Sequence, residues 1–78
     1  MANNDFSYEF KEDFGGIGEV AENGWQKHLT LISWNGREPK YDIRSWNSDM
    51  SRMGKGISFT KEELLELRDL LNDIADEL

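Results

Sequence analysis

The sequence predicts an α+β fold, four antiparallel strands followed by one C-terminal helix, and three observations carry that prediction. Apolar and polar residues alternate with period two in four segments. Asn23-Gly24, Asn35-Gly36 and Pro39 punctuate those segments with turn chemistry. Thr60 then opens a leucine-rich stripe at helical spacing. The 78 residues form a single domain over 1–78, with strands expected at about 6–21, 25–34, 40–46 and 55–59 and a helix at about 61–77.

In the first strand, Phe6, Tyr8 and Phe10 fall on one face, and Gly15, Gly16 and Gly18 mark a bulge or sharp bend in a long, kinked element. The second strand follows the Asn23-Gly24 turn, with Leu29 and Leu31 on one side and Thr30, Ile32 and Trp34 on the other. Asn35 to Pro39 reads as a hairpin loop. In the third strand Tyr41 and Ile43 are expected to face the core, and Asp42, Arg44 and Trp46 the opposite, basic and aromatic side. Asn47 to Gly56 reads as a loop before a short fourth strand. Thr60 and Glu63 have the spacing of a capping box. Leu64, Leu67, Leu70, Leu71, Ile74, Ala75 and Leu78 then project within about 140° at 100° per residue, with the carboxylates on the opposite arc.

Composition narrows the function classes. With no cysteine and one histidine there is no disulfide, no thiolate zinc site and no thiol nucleophile, and no cofactor or metal is expected. The N-terminal residues lack a basic segment followed by an apolar run, and no stretch reaches the roughly 20 apolar residues of a membrane span. The expectation is an intracellular, cytoplasmic protein. A chain this short buries little apolar surface alone, so association between copies is the remaining source of burial. Gly54-Lys55-Gly56 lacks the upstream glycine spacing of a phosphate loop, GGIG at Gly15 is too short for a dinucleotide fingerprint, and His28 has no nucleophile partner. No enzyme is indicated.

Charge is distributed unevenly. Residues 1–22 carry −5, residues 23–58 carry +3 and residues 59–78 carry −5, within a net charge of −7. A positive strip between acidic flanks can attract a phosphate backbone through its local field. Trp34 and Trp46 share a strand face with Arg44, and base stacking on such rings is worth about 1–3 kcal/mol per base. Most isolated lysines and arginines are only solvated surface, and a single tryptophan in a small sheet is more often core. Clustering favours the binding reading. The acidic helix face would repel a strand, so nucleic acid would lie on the sheet.

At ISWNG (Ile32–Gly36), PKYDIRSW (Pro39–Trp46), MGKGIS (Met53–Ser58) and the helix opened by Thr60, the chain resembles the positive coactivator four family of single-stranded DNA-binding proteins, most closely its small bacterial YdbC-like branch. With Asn23–Trp25, the resemblance runs in order over about residues 23–75. It implies a homodimer of strongly curved four-stranded sheets, paired through the helices and binding single-stranded DNA with little sequence preference. By position, it implies Trp34 as a stacking aromatic, Arg44 and Lys55 as basic contacts, and Arg37 or Lys40 as a further one. In eukaryotic members the tryptophan after the arginine stands one residue farther on than Trp46 does here, though parity keeps Trp46 on the side of Arg44. No counterpart of the eukaryotic N-terminal regulatory tail is expected, so transcription-coactivator behaviour is not assumed.

The expected nucleic-acid-binding set is therefore Lys27, Trp34, Arg37, Lys40, Arg44, Trp46, Arg52 and Lys55. The expected dimer interface is Leu67, Leu70, Leu71, Ile74 and Leu78. The partner is single-stranded DNA, with RNA as an alternative strand and a transcription or repair protein as a further partner. The competing reading is a dimeric protein-interaction module without direct DNA contact.

Overall fold

The computed structural model describes residues 7–78, so the expectation for Phe6 lies outside the described residues. Four strands form one antiparallel sheet in the order β1 (Tyr8–Ile17), β2 (Gln26–Trp34), β3 (Lys40–Trp46), β4 (Met53–Phe59). Helix α1 (Lys61–Asp73) and a 3-10 turn (Ala75–Glu77) follow. None of the helices among the described residues is long and apolar enough to cross a membrane.

Local chemistry sets the boundaries. In β1 the pairing register slips between Phe10 and Glu12 and again between Asp13 and Gly15, where Gly15 adopts φ 140°. The glycines thus mark a bulge as expected, but the strand stops at Ile17 because Gly18 leaves the extended region at φ 79°. Trp34 to Arg37 is closed by a 2.9 Å bond from Arg37 N to Trp34 O, with positive φ at both Asn35 and Gly36. That is the turn conformation Asn-Gly favours. Asn35 also ties down the start of β1, since its Oδ1 accepts from Ser7 N at 2.7 Å and its N donates to Ser7 O at 2.8 Å.

The fourth strand begins at Met53, two residues earlier than expected, because the loop before it is closed by its own side chains. Asn47 Oδ1 accepts from Arg52 N at 2.9 Å and Asn47 N donates to Arg52 O at 3.1 Å, which aligns Met53 with Trp46. At the helix start both halves of the capping box form, Glu63 N to Thr60 Oγ1 at 3.1 Å and Thr60 N to Glu63 Oε1 at 2.9 Å. The α-helix ends at Asp73 instead of 77. Its last turn carries no basic residue, and Asp73, Asp76 and Glu77 crowd the negative end of the helix dipole, so the chain tightens into a 3-10 turn.

Strong curvature decides where the core sits. Tyr8 pairs with Trp34 at one end of β2 and Trp46 with Gln26 at the other. Eight residues of straight strand would separate those ends by about 26 Å, yet the Tyr8 and Trp46 ring centroids are 6.2 Å apart. The sheet curls on itself, and its inner face carries Tyr8, Phe10, Thr30, Ile32, Trp34, Asp42, Arg44 and Trp46. Alternation assigns the faces correctly, but burial is the reverse of the expectation: Thr30, Ile32, Asp42 and Trp46 are fully buried, whereas Tyr41 and Ile43 on the helix side are half-buried. Curling encloses the first set, and α1 covers only part of the second.

The helix side is open. No residue of α1 is buried, and Leu64, Leu67 and Leu71 border, with Leu29 and Ile43, an apolar recess of about 310 Å³. The radius of gyration is 14.4 Å, against about 11–12 Å for a compact chain of this length.

Candidate nucleic-acid interface

Trp34 ends β2 immediately before the Asn35-Gly36 turn, half-buried on the inner face. Its ring lies 5.7 Å from that of Tyr8, tilted by 43°, and the Arg44 Cζ stands 4.8 Å from its centroid, over the ring. These neighbours fix the orientation of the indole. Arg37 follows in the turn and Lys40 opens β3; both are exposed, and Lys40 has the inward parity of Asp42 and Arg44. One aromatic ring and two exposed cations thus gather at the β2–β3 end of the sheet.

Arg44 lies deeper. Its Nη2 donates to Asp42 Oδ2 at 2.8 Å, its Nε donates to Asp42 Oδ1, and its Nη1 donates to Gly54 O at 3.3 Å. Met53 Sδ lies 3.5 Å from the same Nη1. Asp42 has no exposed surface and also accepts from Ser58 Oγ at 2.8 Å. These donors supply the hydrogen-bond partners that a buried carboxylate requires. Thr30 Oγ1 donates to Asp42 O at 3.4 Å beneath the pair.

Trp46 is placed differently from what the expected stacking role requires. It shares the face of Arg44, as parity requires, but its exposure is zero, and its ring meets Phe10 edge-on at 5.5 Å and Tyr8 at 6.2 Å. No base can reach it. Its Nε1 has no hydrogen-bond partner among the described residues, consistent with a residue used as filling for the curl.

The other cations divide by position. Arg52 is exposed at the end of the β3–β4 loop, where bonds from the Ser51 hydroxyl and backbone N–H hold Asp49 below the usual carboxylate range. Lys55 is exposed in β4, between Gly54 and Gly56. Lys27 is exposed but has the parity of Leu29 and Leu31, and so lies on the face opposite Trp34. Among the described residues Lys27, Arg37, Lys40, Arg52 and Lys55 form no ion pair. Arg44 alone of the expected cations is neutralised by a partner.

Two residues that the sequence placed on a shared strand face, with no choice between the two sides of the sheet, also border this region. Tyr8 and Phe10 stand on the inner face beside Trp34 and Trp46, and Phe10 is 37% exposed. Their alternation with polar residues signalled a shared face but not which one. His28 also lies on this face, its Nδ1 3.0 Å from Asp13 Oδ1.

The profile of the family described as Transcriptional Coactivator p15 (PC4) matches residues 21–70, a span that holds β2, β3, β4, most of α1 and every candidate cation. The chain is also similar to an uncharacterized protein of Treponema pallidum (strain Nichols), 48% identical over 75 residues that cover 96% of this chain and 87% of the relative. That alignment extends the likeness across nearly the whole chain. On both grounds the chain belongs to the transcriptional coactivator p15 (PC4) family.

Proposed function

We propose that this protein binds single-stranded DNA with little sequence preference, as a homodimer of the kind the small bacterial branch of the family resembles. The observation that carries the proposal is the Trp34 indole, held by Tyr8 and Arg44, beside exposed Arg37 and Lys40, which form no ion pair among the described residues, at one end of the curled sheet. An indole held before binding loses little freedom when a base stacks on it. Phe10, on the same face, offers a second ring to the strand.

Phosphate contact falls to the exposed cations, Arg37, Lys40, Arg52 and Lys55. Arg37 and Lys40 both serve, one from the turn and one from the strand. Helix pairing through Leu67, Leu70, Leu71, Ile74 and Leu78 covers the apolar stripe that a single copy leaves open. The acidic outer arc of α1 then faces away from the strand and disfavours wrapping by a duplex. Membership of this family supports a nucleic-acid-binding protein of the cytoplasm or nucleoid.

The test is the salt dependence of binding to a labelled oligo-dT of about 20 nucleotides, followed by anisotropy. Four phosphate contacts per copy give a log–log slope near −3, at roughly −0.7 per phosphate of a single strand. A flat response would contradict the electrostatic half of the proposal.

A further inference from the structure

Arg44 has the residue type of a phosphate ligand but not the surroundings of one. Its two outer donors on one edge are taken by Asp42, and Nη1 reaches Gly54 O. The side chain is 14% exposed and its carboxylate partner not at all. A phosphate that drew Arg44 away would leave the Asp42 carboxylate buried, unpaired and close to another anion, which is the costly arrangement for an ion pair.

The floor beneath Arg44 is equally specific. A Cβ on Gly56 would collide with Arg44 Cβ and lie 2.5 Å from Ile43 O and 2.8 Å from Arg44 Nε. Glycine there lets the arginine lie flat across β4, and the guanidinium ends 4.8 Å from the Trp34 ring centroid. Ser58 holds the carboxylate from the far side. Asp42, Gly56 and Ser58 therefore determine where Arg44 lies, and Arg44 covers one face of Trp34.

We propose that Arg44 is a positioning residue: locked by Asp42, it acts on the bound strand through the Trp34 indole and not by holding a phosphate. This rests on the single-strand reading above. It follows that Asp42, an anion, supports binding to another anion.

The sign of that effect gives the test. Oligo-dT affinity and its salt slope are measured for wild type, Asp42→Asn, Arg44→Gln, Trp34→Ala and the Trp34→Ala/Arg44→Gln double variant, with thermal unfolding of each followed by circular dichroism. The expected result is that Asp42→Asn weakens binding by about threefold or more, as contacting residues in one network do, with the slope unchanged. Arg44→Gln weakens binding with no change of slope, and the double variant binds no more weakly than Trp34→Ala. Tighter binding by Asp42→Asn, additive losses, or a slope about 0.7 shallower in Arg44→Gln would overturn the inference while leaving single-strand binding intact. If Arg44→Gln fails to fold, Asp42→Asn and the wild-type Arg44 Nε–H resonance decide. A resonance unmoved by oligo-dT supports the lock, and one that shifts with release from Asp42 overturns it. A wild type that binds no oligonucleotide overturns the single-strand reading itself and this inference with it.

Discussion

Trp34 and Trp46 have the same strand parity, and only their surroundings separate their roles. Trp34 is half-buried between Tyr8 and Arg44, so Trp34→Ala is expected to lose about 1–3 kcal/mol of oligonucleotide binding, roughly 5- to 150-fold, without loss of fold. Trp46 is enclosed by Tyr8 and Phe10, and Trp46→Ala is expected to destabilise the protein by about 3–5 kcal/mol, measured by denaturant unfolding. Trp46→Phe should be far milder, because the indole N–H it removes makes no hydrogen bond among the described residues. Sequence parity was enough to put both rings on one face beside Arg44. Exposure was not legible, because it depends on how tightly β1 closes over β3, a property of the whole sheet. The Asp42–Arg44 lock was hidden for a similar reason: residues two apart on a strand share a face, but nothing in their spacing says whether they meet each other or solvent.

At the scale of elements, local signals performed well where the chemistry was local. The Asn35-Gly36 turn and the Thr60–Glu63 capping box both form as their residues predict. Thr60→Ala should therefore cost about 1 kcal/mol, read as a lowered unfolding midpoint with DNA affinity per folded molecule unchanged. Boundaries failed where a non-local partner or a terminal charge intervened. β4 begins at Met53 because Trp46 supplies a pairing partner across the loop, and α1 ends early because acidic residues oppose its dipole. The helix face itself was legible from periodicity, since Leu64, Leu67 and Leu71 of the predicted stripe border the recess against Leu29 and Ile43, with Arg68 and Asn72 at its edge.

For the molecule as a whole, the distribution of burial leaves exposed the stripe that the proposed helix pairing would cover. Thr30, Ile32, Asp42 and Trp46 on the inner face are buried within one chain, whereas on the helix Leu70 remains 61% exposed, Leu71 45% and Leu78 84%. Leu71→Asp places a charge in that stripe and is expected to yield a monomer or an unfolded chain by light scattering and circular dichroism; a stable, monodisperse dimer from it would refute the proposed interface. In the proposed function the charge pattern, a positive middle between acidic ends, disfavours wrapping by a duplex at this same scale. The most direct measurement is competition between unlabelled single strand and duplex of equal length for the protein bound to labelled oligo-dT. The account predicts that the single strand displaces the probe at much lower concentration, because only unpaired bases can stack on Trp34. Displacement by duplex at equal or lower concentration would contradict it.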